Sequence, residues 1–425
     1  MIAFFAWSNM LILNQVNIKI NLYLEIEADL FVWGTNPIDY RLVEIIKKSK
    51  VFKHVWYIDY PAIKRNRPVL KRLKIKLNDY IKPIQELQKY YNRQLGRLCG
   101  DTIYEKFVVA GFWNDALHMF NYFYKKNPKI EIIISEEGTI NYFCGKKHKV
   151  LFYLPHQGLK QKIINFIGYR GLYKKAYKRV VADCVCVPEL LQHKENEVKK
   201  IPAINNNNPI IAQMLREYIN KLPRELIGNY KNRKVLYFVA PYSSAYESVD
   251  VMDSILKVTL SQIPNNELII KVHSNSTENK NNYAKDAEEE GFFVDRETYL
   301  FESICGEVDF SNKIFITRGS SSVLYMKQLF SKEPYLIFTH RLCSRYHCGN
   351  DQNGDDYAAN IIKMYDNPQR VFIPNSIKEY QEILETLVND LEMRDNVVEK
   401  SGPDTIQKVF DELLTIYLKE KEKNG

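Results

Sequence analysis

The sequence has no cysteine framework. Its seven cysteines, at 99, 144, 184, 186, 305, 343 and 348, form no CxxC pair, and an odd count with no paired ligand spacing suits neither a set of bridges nor a zinc module. The thiols are expected to be mostly reduced, in a cytosolic setting. Long hydrophobic runs are also missing. The opening MIAFFAWSNMLILNQVNIKI is apolar for only about a dozen residues, has no basic start and no small-residue cleavage site, and is too short to span a bilayer. It reads as a first buried strand running into a helix. No recognisable RNA- or DNA-binding motif occurs, and the basic residues are scattered, so a basic nucleic-acid-binding or scaffold protein is the weaker class of reading.

What is present points to a globular protein. Hydrophobic residues make up 45% and aromatics 13%, with 29 Tyr spread along the chain, which excludes disorder. At 425 residues the chain exceeds what one hydrophobic core organises, so two domains are expected. The net charge of +9 fits an anionic substrate or an anionic membrane surface as well as nucleic acid, and does not choose among them. The densest basic stretch, Gly158 to Val180, interleaves Lys and Arg with Ile, Phe, Leu and Tyr at roughly helical spacing. That fits a solvated face or a peripheral membrane contact.

Short apolar runs alternate with amphipathic ones, the pattern of βα units feeding a parallel sheet. In the first half strands are expected at 2–7, 29–34, 54–59, 106–111, 129–135, 150–154 and 182–187. Residues 196–233, with HKENEVKK leading into them and NNNN at 205–208, read as a linker. A second alternating set follows, with strands at 234–241, 267–273, 292–295, 313–317 and 334–339, and a helical tail over 377–421. The expected fold is α/β: a Rossmann-like domain over 1–195 and a second over 234–425, both doubly wound parallel sheets facing a cleft. Ligands bind such sheets at the carboxyl ends of their strands, so chemistry is sought there.

Three strand ends stand out. The run IEIIISEEGTINYF presents Glu136, Glu137 and Gly138. Paired carboxylates at a partly desolvated strand end suit a general base that takes a proton from a hydroxyl, and Gly138 allows a tight turn. The run ELIIKVHSNSTENK places Lys271 and His273 on one side of a strand, with Ser274 beyond, a set that can hold a phosphate. The run KIFITRGSSSVLYMKQLF leads through Arg318, Gly319, Ser320, Ser321 and Ser322 into a helix, offering amides, hydroxyls and a helix dipole to an anion.

In order and spacing these three motifs resemble those of the bacterial lipooligosaccharide sialyltransferases (glycosyltransferase family 52) and their polysialyltransferase relatives. Members of that family carry an acidic D/E-D/E-G motif, a His-Pro motif and a later serine/threonine motif. The resemblance covers residues 1 to about 340 and departs at Ser274, where the family has proline. It implies the GT-B architecture and an inverting transfer of sialic acid, or a related nonulosonate, from a CMP-sugar to a hydroxyl of a bacterial surface glycan. Glu136 or Glu137 would then be the base, His273 the contact to the CMP phosphate, and Ser320 to Ser322 the phosphate or cytidine contact. The implied partners are a nucleotide-sugar donor and a glycan or glycolipid acceptor, with a second copy of the chain as a further candidate. Another donor (UDP, GDP or CMP-Kdo) is the alternative.

No cofactor or metal is expected. The acidic EIEAD at 25–29 precedes a strand, and GDDY at 354–357 reads as polar loop, so neither makes a strand-end DxD. His340, His347, Cys343 and Cys348 have a metal-like composition but no common zinc spacing. Arg341 and Arg345 beside them could bind an acidic sugar or phosphate. His118 reads as packing.

Overall fold

The computed structural model describes residues 1–34, 38–58, 78–112, 114–137, 169–191, 194–204, 208–239, 249–272, 282–344 and 352–389. These residues form two compact units. The first holds 1–227 together with 296–308 and 321–332; the second holds 228–295, 309–320 and the chain from 333 onward.

The first unit is built on a seven-stranded sheet, all parallel, in the order β3-β2-β1-β4-β5-β6-β7. Its strands are β1 (Ile2–Ala6), β2 (Ala28–Trp33), β3 (His54–Ile58), β4 (Lys106–Val109), β5 (Glu131–Ser135), β6 (Val180–Val185) and β7 (Glu197–Lys200). Sequences such as IAFFA and ADLFVW are buried at every position, as expected of strands covered on both faces, where apolar residues run on instead of alternating. The last strand, EVKK, is different: it lies in the stretch expected to be a linker, is half-exposed and, among the described residues, pairs with β6 alone. Two helices, α1 (Asn9–Leu22) and α2 (Tyr40–Ser49), follow the first two strands, and α3 (Asn78–Cys99) and α4 (Asn114–Lys126) flank β4 in sequence.

Ser8 caps α1, accepting from the amide of Leu11 at 3.2 Å, a contact typically worth ~1 kcal/mol. This helix is buried all round, including Asn14, Gln15, Asn17 and Lys19. Polar side chains so enclosed must find partners, and Asn14 and Gln15 find theirs at the end of β5, described below. His118, on α4, sits in packing as expected: one ring nitrogen meets Gln88, the other the Tyr169 hydroxyl, and the ring stacks on Tyr91.

The second unit carries a six-stranded parallel sheet in the order β10-β9-β8-β11-β12-β13. Its strands are β8 (Val235–Phe238), β9 (Leu268–Lys271), β10 (Phe293–Asp295), β11 (Ile314–Thr317), β12 (Tyr335–Phe338) and β13 (Val371–Phe372). In chain order the helices are α5 (Pro209–Ile219), α6 (Arg224–Asn232), α7 (Val249–Gln262), α8 (Asn282–Glu289), α9 (Ser321–Phe330), α10 (His340–Ser344), α11 (Gln352–Met364) and α12 (Ile377–Asn389). By their contacts α5 and α9 belong to the first unit.

The helical tail is expected to begin near 377, and α12 does. Its Tyr380, Leu384 and Leu387 join Val235, Ile270, Ile316 and Ile337 in the core of the second unit, and the Tyr380 hydroxyl lies 2.6 Å from Thr259 Oγ1 of α7. The strand expected at 150–154 and the tail beyond 389 lie outside the described residues. Both sheets are thus open, doubly wound and parallel, the α/β class with two Rossmann-like domains that the sequence predicts.

One buried cation in the second unit gives a pH test. Lys313, just before β11, donates to the carbonyls of Lys231 and Arg233 at the end of α6 and is 7% exposed. Burial pulls its pKa from 10.5 down to about 8, against the opposing pull of Asp309. Between those two values the unfolded chain holds a proton that the folded chain has lost, so the cost of burying the charge is relieved as pH rises through the window. Stability of the wild type relative to Lys313→Met should therefore climb from pH 8 to 10.5 in urea titrations; a flat difference would contradict this.

Candidate active site

In the first unit β5 ends at Ser135, and the two acidic residues follow. Their side chains meet different surroundings. Glu136 is fully buried, and its Oε2 accepts from the Cys186 amide, just beyond β6, at 2.7 Å. Its own carbonyl accepts from Asn14 Nδ2 at 3.4 Å, while Gln15 Nε2 donates to Ser135 Oγ at 2.9 Å and to the Phe5 carbonyl at 3.2 Å. The polar side of α1 therefore clamps the turn from beneath. Burial, then the Glu136 charge, pushes the Cys186 thiol up, and burial takes Cys184 to about 12, so neither is a nucleophile near neutrality.

Glu137 has a different environment. It is only part-buried, and its Oε1 accepts from Trp7 Nε1 at 2.8 Å. Trp7 lies directly after β1 and Glu137 two residues after β5, with β4 between those strands. The bond thus bridges the carboxyl end of β4, beside the β1/β4 boundary where strand order reverses. That reversal is the topological switch point at which open α/β sheets bind ligands. Of the two carboxylates, one is built into the sheet and the other is placed over the carboxyl end of β4.

Among the remaining expected site residues, Gly138, His273 and Ser274 lie outside the described residues. Lys271 closes β9, but its ammonium is 3.2 Å from Asp295 Oδ2 at the end of neighbouring β10, and the Tyr230 hydroxyl donates to the same carboxylate oxygen at 2.6 Å. Its charge is balanced within the sheet.

The turn after β11 is pre-shaped: the amides of Gly319 and Ser320 donate to Thr317 Oγ1 at 3.1 and 2.9 Å, and the Tyr357 hydroxyl donates to the Ser320 carbonyl at 2.8 Å. Two amides expected to face an anion are therefore engaged in the turn itself. Arg318, Gly319 and Ser320 group with Lys271 in the second unit, whereas Ser321 and Ser322, the first residues of α9, group with the first.

A third feature of the second unit was read only in part: the sequence singles out His340 and Arg341 but not their partner Asp355. His340 lies just past β12 and is 1% exposed, with its Nε2 2.8 Å from Asp355 Oδ1. Arg341 Nε donates to the same oxygen at 2.9 Å, and its NH1 reaches Asn375 Oδ1 at 2.8 Å. Although burial works against it, hydrogen bonds from His340 and Arg341 hold the Asp355 carboxyl below its usual range. GDDY, expected as loop, is part of α11, which turns Asp355 toward the strand end. The readable signal was the buried strand YLIF stopping at Thr-His-Arg. Among the described residues no group of three or more His, Cys, Asp or Glu gathers as a metal ion would need, and no helix is long and apolar enough to cross a membrane.

No protein-family model matches the chain, and no curated protein matches it. Several solved structures share its general course. A UDP-GlcNAc 2-epimerase of Neisseria meningitidis bound to UDP-GlcNAc is 11% identical, covering 92% of this chain and 100% of that one, with a TM-score of 0.47. An alpha/beta-galactoside alpha-2,3-sialyltransferase of Photobacterium phosphoreum is 13% identical over 88% and 98%, with a TM-score of 0.43. An Arabidopsis thaliana protein complexed with UDP-L-rhamnose is 9% identical over 97% and 98%, with a TM-score of 0.46. All three scores fall below 0.5, so the fold class rests on the strand orders above.

Proposed function

We propose that the protein is an inverting glycosyltransferase of GT-B type that moves a sialic acid or related nonulosonate from a CMP-sugar to a glycan hydroxyl, with Glu137 as the base. The observation that carries this reading is the Glu137 carboxylate, held by Trp7 over the switch point of a doubly wound sheet. A base needs a fixed carboxylate at the edge where an acceptor hydroxyl arrives. Glu136 serves as a positioning residue, tying the end of β5 to Cys186 and so fixing where Glu137 stands.

In this reading the acceptor hydroxyl gives its proton to Glu137 and attacks the anomeric carbon as CMP leaves through an oxocarbenium-like transition state. The leaving phosphate is already stable, so only its charge has to be balanced. Arg318 is suited to that, with His273 as the family resemblance assigns it and Ser274 as its place beside His273 suggests. Such a mechanism calls for no cofactor. The acceptor is a surface glycan or glycolipid, taken by a cytoplasmic enzyme that can rest on the membrane.

Thermal unfolding in the presence of nucleotides tests the donor. CMP at a hundred times its dissociation constant should stabilise the protein by about 2.7 kcal/mol. Protection by UDP or GDP with none by CMP would replace the donor, and protection by no nucleotide would sink the reading.

A further inference from the structure

The His340 cluster is not used by the mechanism above. In the neutral imidazole, Asp355 accepting from Nε2 places the proton there and leaves a bare lone pair on Nδ1. Among the described residues Nδ1 has no hydrogen-bond partner, although it is buried. A buried acceptor left unmade is costly, and such costs persist where a ligand repays them.

The location is equally specific. Thr317 of β11 and Phe338 of β12 are register partners, the Thr339 amide donates to the Thr317 carbonyl at 2.9 Å, and His340 follows at once. Helix α11 braces both strand ends: its Asp355 holds His340 and Arg341, and its Tyr357 holds Ser320. The sheet order puts β11 at the β8/β11 reversal, so His340 stands one strand from the second unit's own switch point.

We propose that His340 Nδ1 accepts a hydrogen bond from a ribose hydroxyl of the bound nucleotide, with Asp355 as the residue that sets its tautomer. A phosphate offers only acceptors to a bare lone pair, so the ligand group must carry a hydrogen. With the phosphate at Arg318, just beyond the adjacent β11, the ribose is the part of a nucleotide that reaches the next strand. Neighbouring side chains must part for the ribose to meet the nitrogen. This assignment rests on the nucleotide-sugar reading above.

The test is titration calorimetry of the full chain with CMP, 2′-deoxy-CMP and 2′,3′-dideoxy-CMP, repeated with the uridine series and with His340→Phe. The wild type should bind the ribonucleotide at least about tenfold more tightly than the analogue lacking the contacted hydroxyl. His340→Phe should bind them within about twofold of one another by losing affinity for the ribonucleotide alone. Equal binding of ribo and deoxy forms by the wild type would overturn the assignment while leaving the nucleotide reading intact, and needs no variant to fold. A variant that weakens all forms equally would also overturn it, as would one that alters only the preference between cytidine and uridine. Failure of the wild type to bind any nucleotide would overturn the nucleotide reading, and this assignment with it.

Discussion

Glu137→Gln should cut kcat for transfer by about a hundredfold to ten-thousandfold, the usual contribution of a positioned general base, with little change in stability. The substituted amide oxygen would still accept from the Trp7 indole and differ only in being unable to take a proton, so the loss should fall on kcat and not on KM. Glu136→Gln should cost far less activity, because an amide oxygen can still accept from Cys186. Glu136→Ala, which leaves that buried amide unpaired, should destabilise the first unit by about 1–3 kcal/mol. Steady-state kinetics and thermal melts on the three variants separate the roles. Turnover lost in Glu136→Gln and kept in Glu137→Gln would exchange the assignments.

The second large effect concerns the ion pair at the ends of β9 and β10. Asp295 is 1% exposed and Lys271 12% by side chain, so Asp295→Ala removes the carboxylate facing a largely buried ammonium. Breaking one partner of such a pair costs about 3–5 kcal/mol, and the Tyr230 hydroxyl loses its acceptor as well. Lys271→Met added to Asp295→Ala should recover part of that loss, since the remaining charge is removed along with its desolvation cost. Urea unfolding of the two single variants and the double variant measures this. A double variant no more stable than Asp295→Ala would mean that Lys271 is not held there by Asp295, and would return its charge to the phosphate role that its place on the strand first suggests.

Most of the fold was legible because a parallel sheet covered on both faces writes itself as continuous apolar runs. IEIII, ELII, KIFI and YLIF each mark a strand by composition alone. The strands that escaped notice are edge strands: EVKK is charged and half-exposed, and the two-residue β13 carries too little pattern to read. The acidic strand end was also legible, but the different surroundings of Glu136 and Glu137 were not. They depend on Trp7, Asn14, Gln15 and Cys186, which lie about 50 to 130 positions away in sequence. Those contacts had one trace in the sequence: α1 carries several Asn, one Gln and one Lys on an otherwise apolar helix, which marks it as buried with polar groups to satisfy. Lys271 was read against His273, two residues on along its own strand, whereas its partner came from the next strand. Asp355 was read as loop because GDDY has turn composition, and only α11 shows that the carboxylate meets His340.

The most direct measurement is CMP release from CMP-sialic acid by the purified protein, with and without a galactoside acceptor, in the presence of EDTA. Release that depends on the acceptor, persists in EDTA and disappears in Glu137→Gln is the expected result. No release with any acceptor, or release that Glu137→Gln leaves unchanged, would contradict the account.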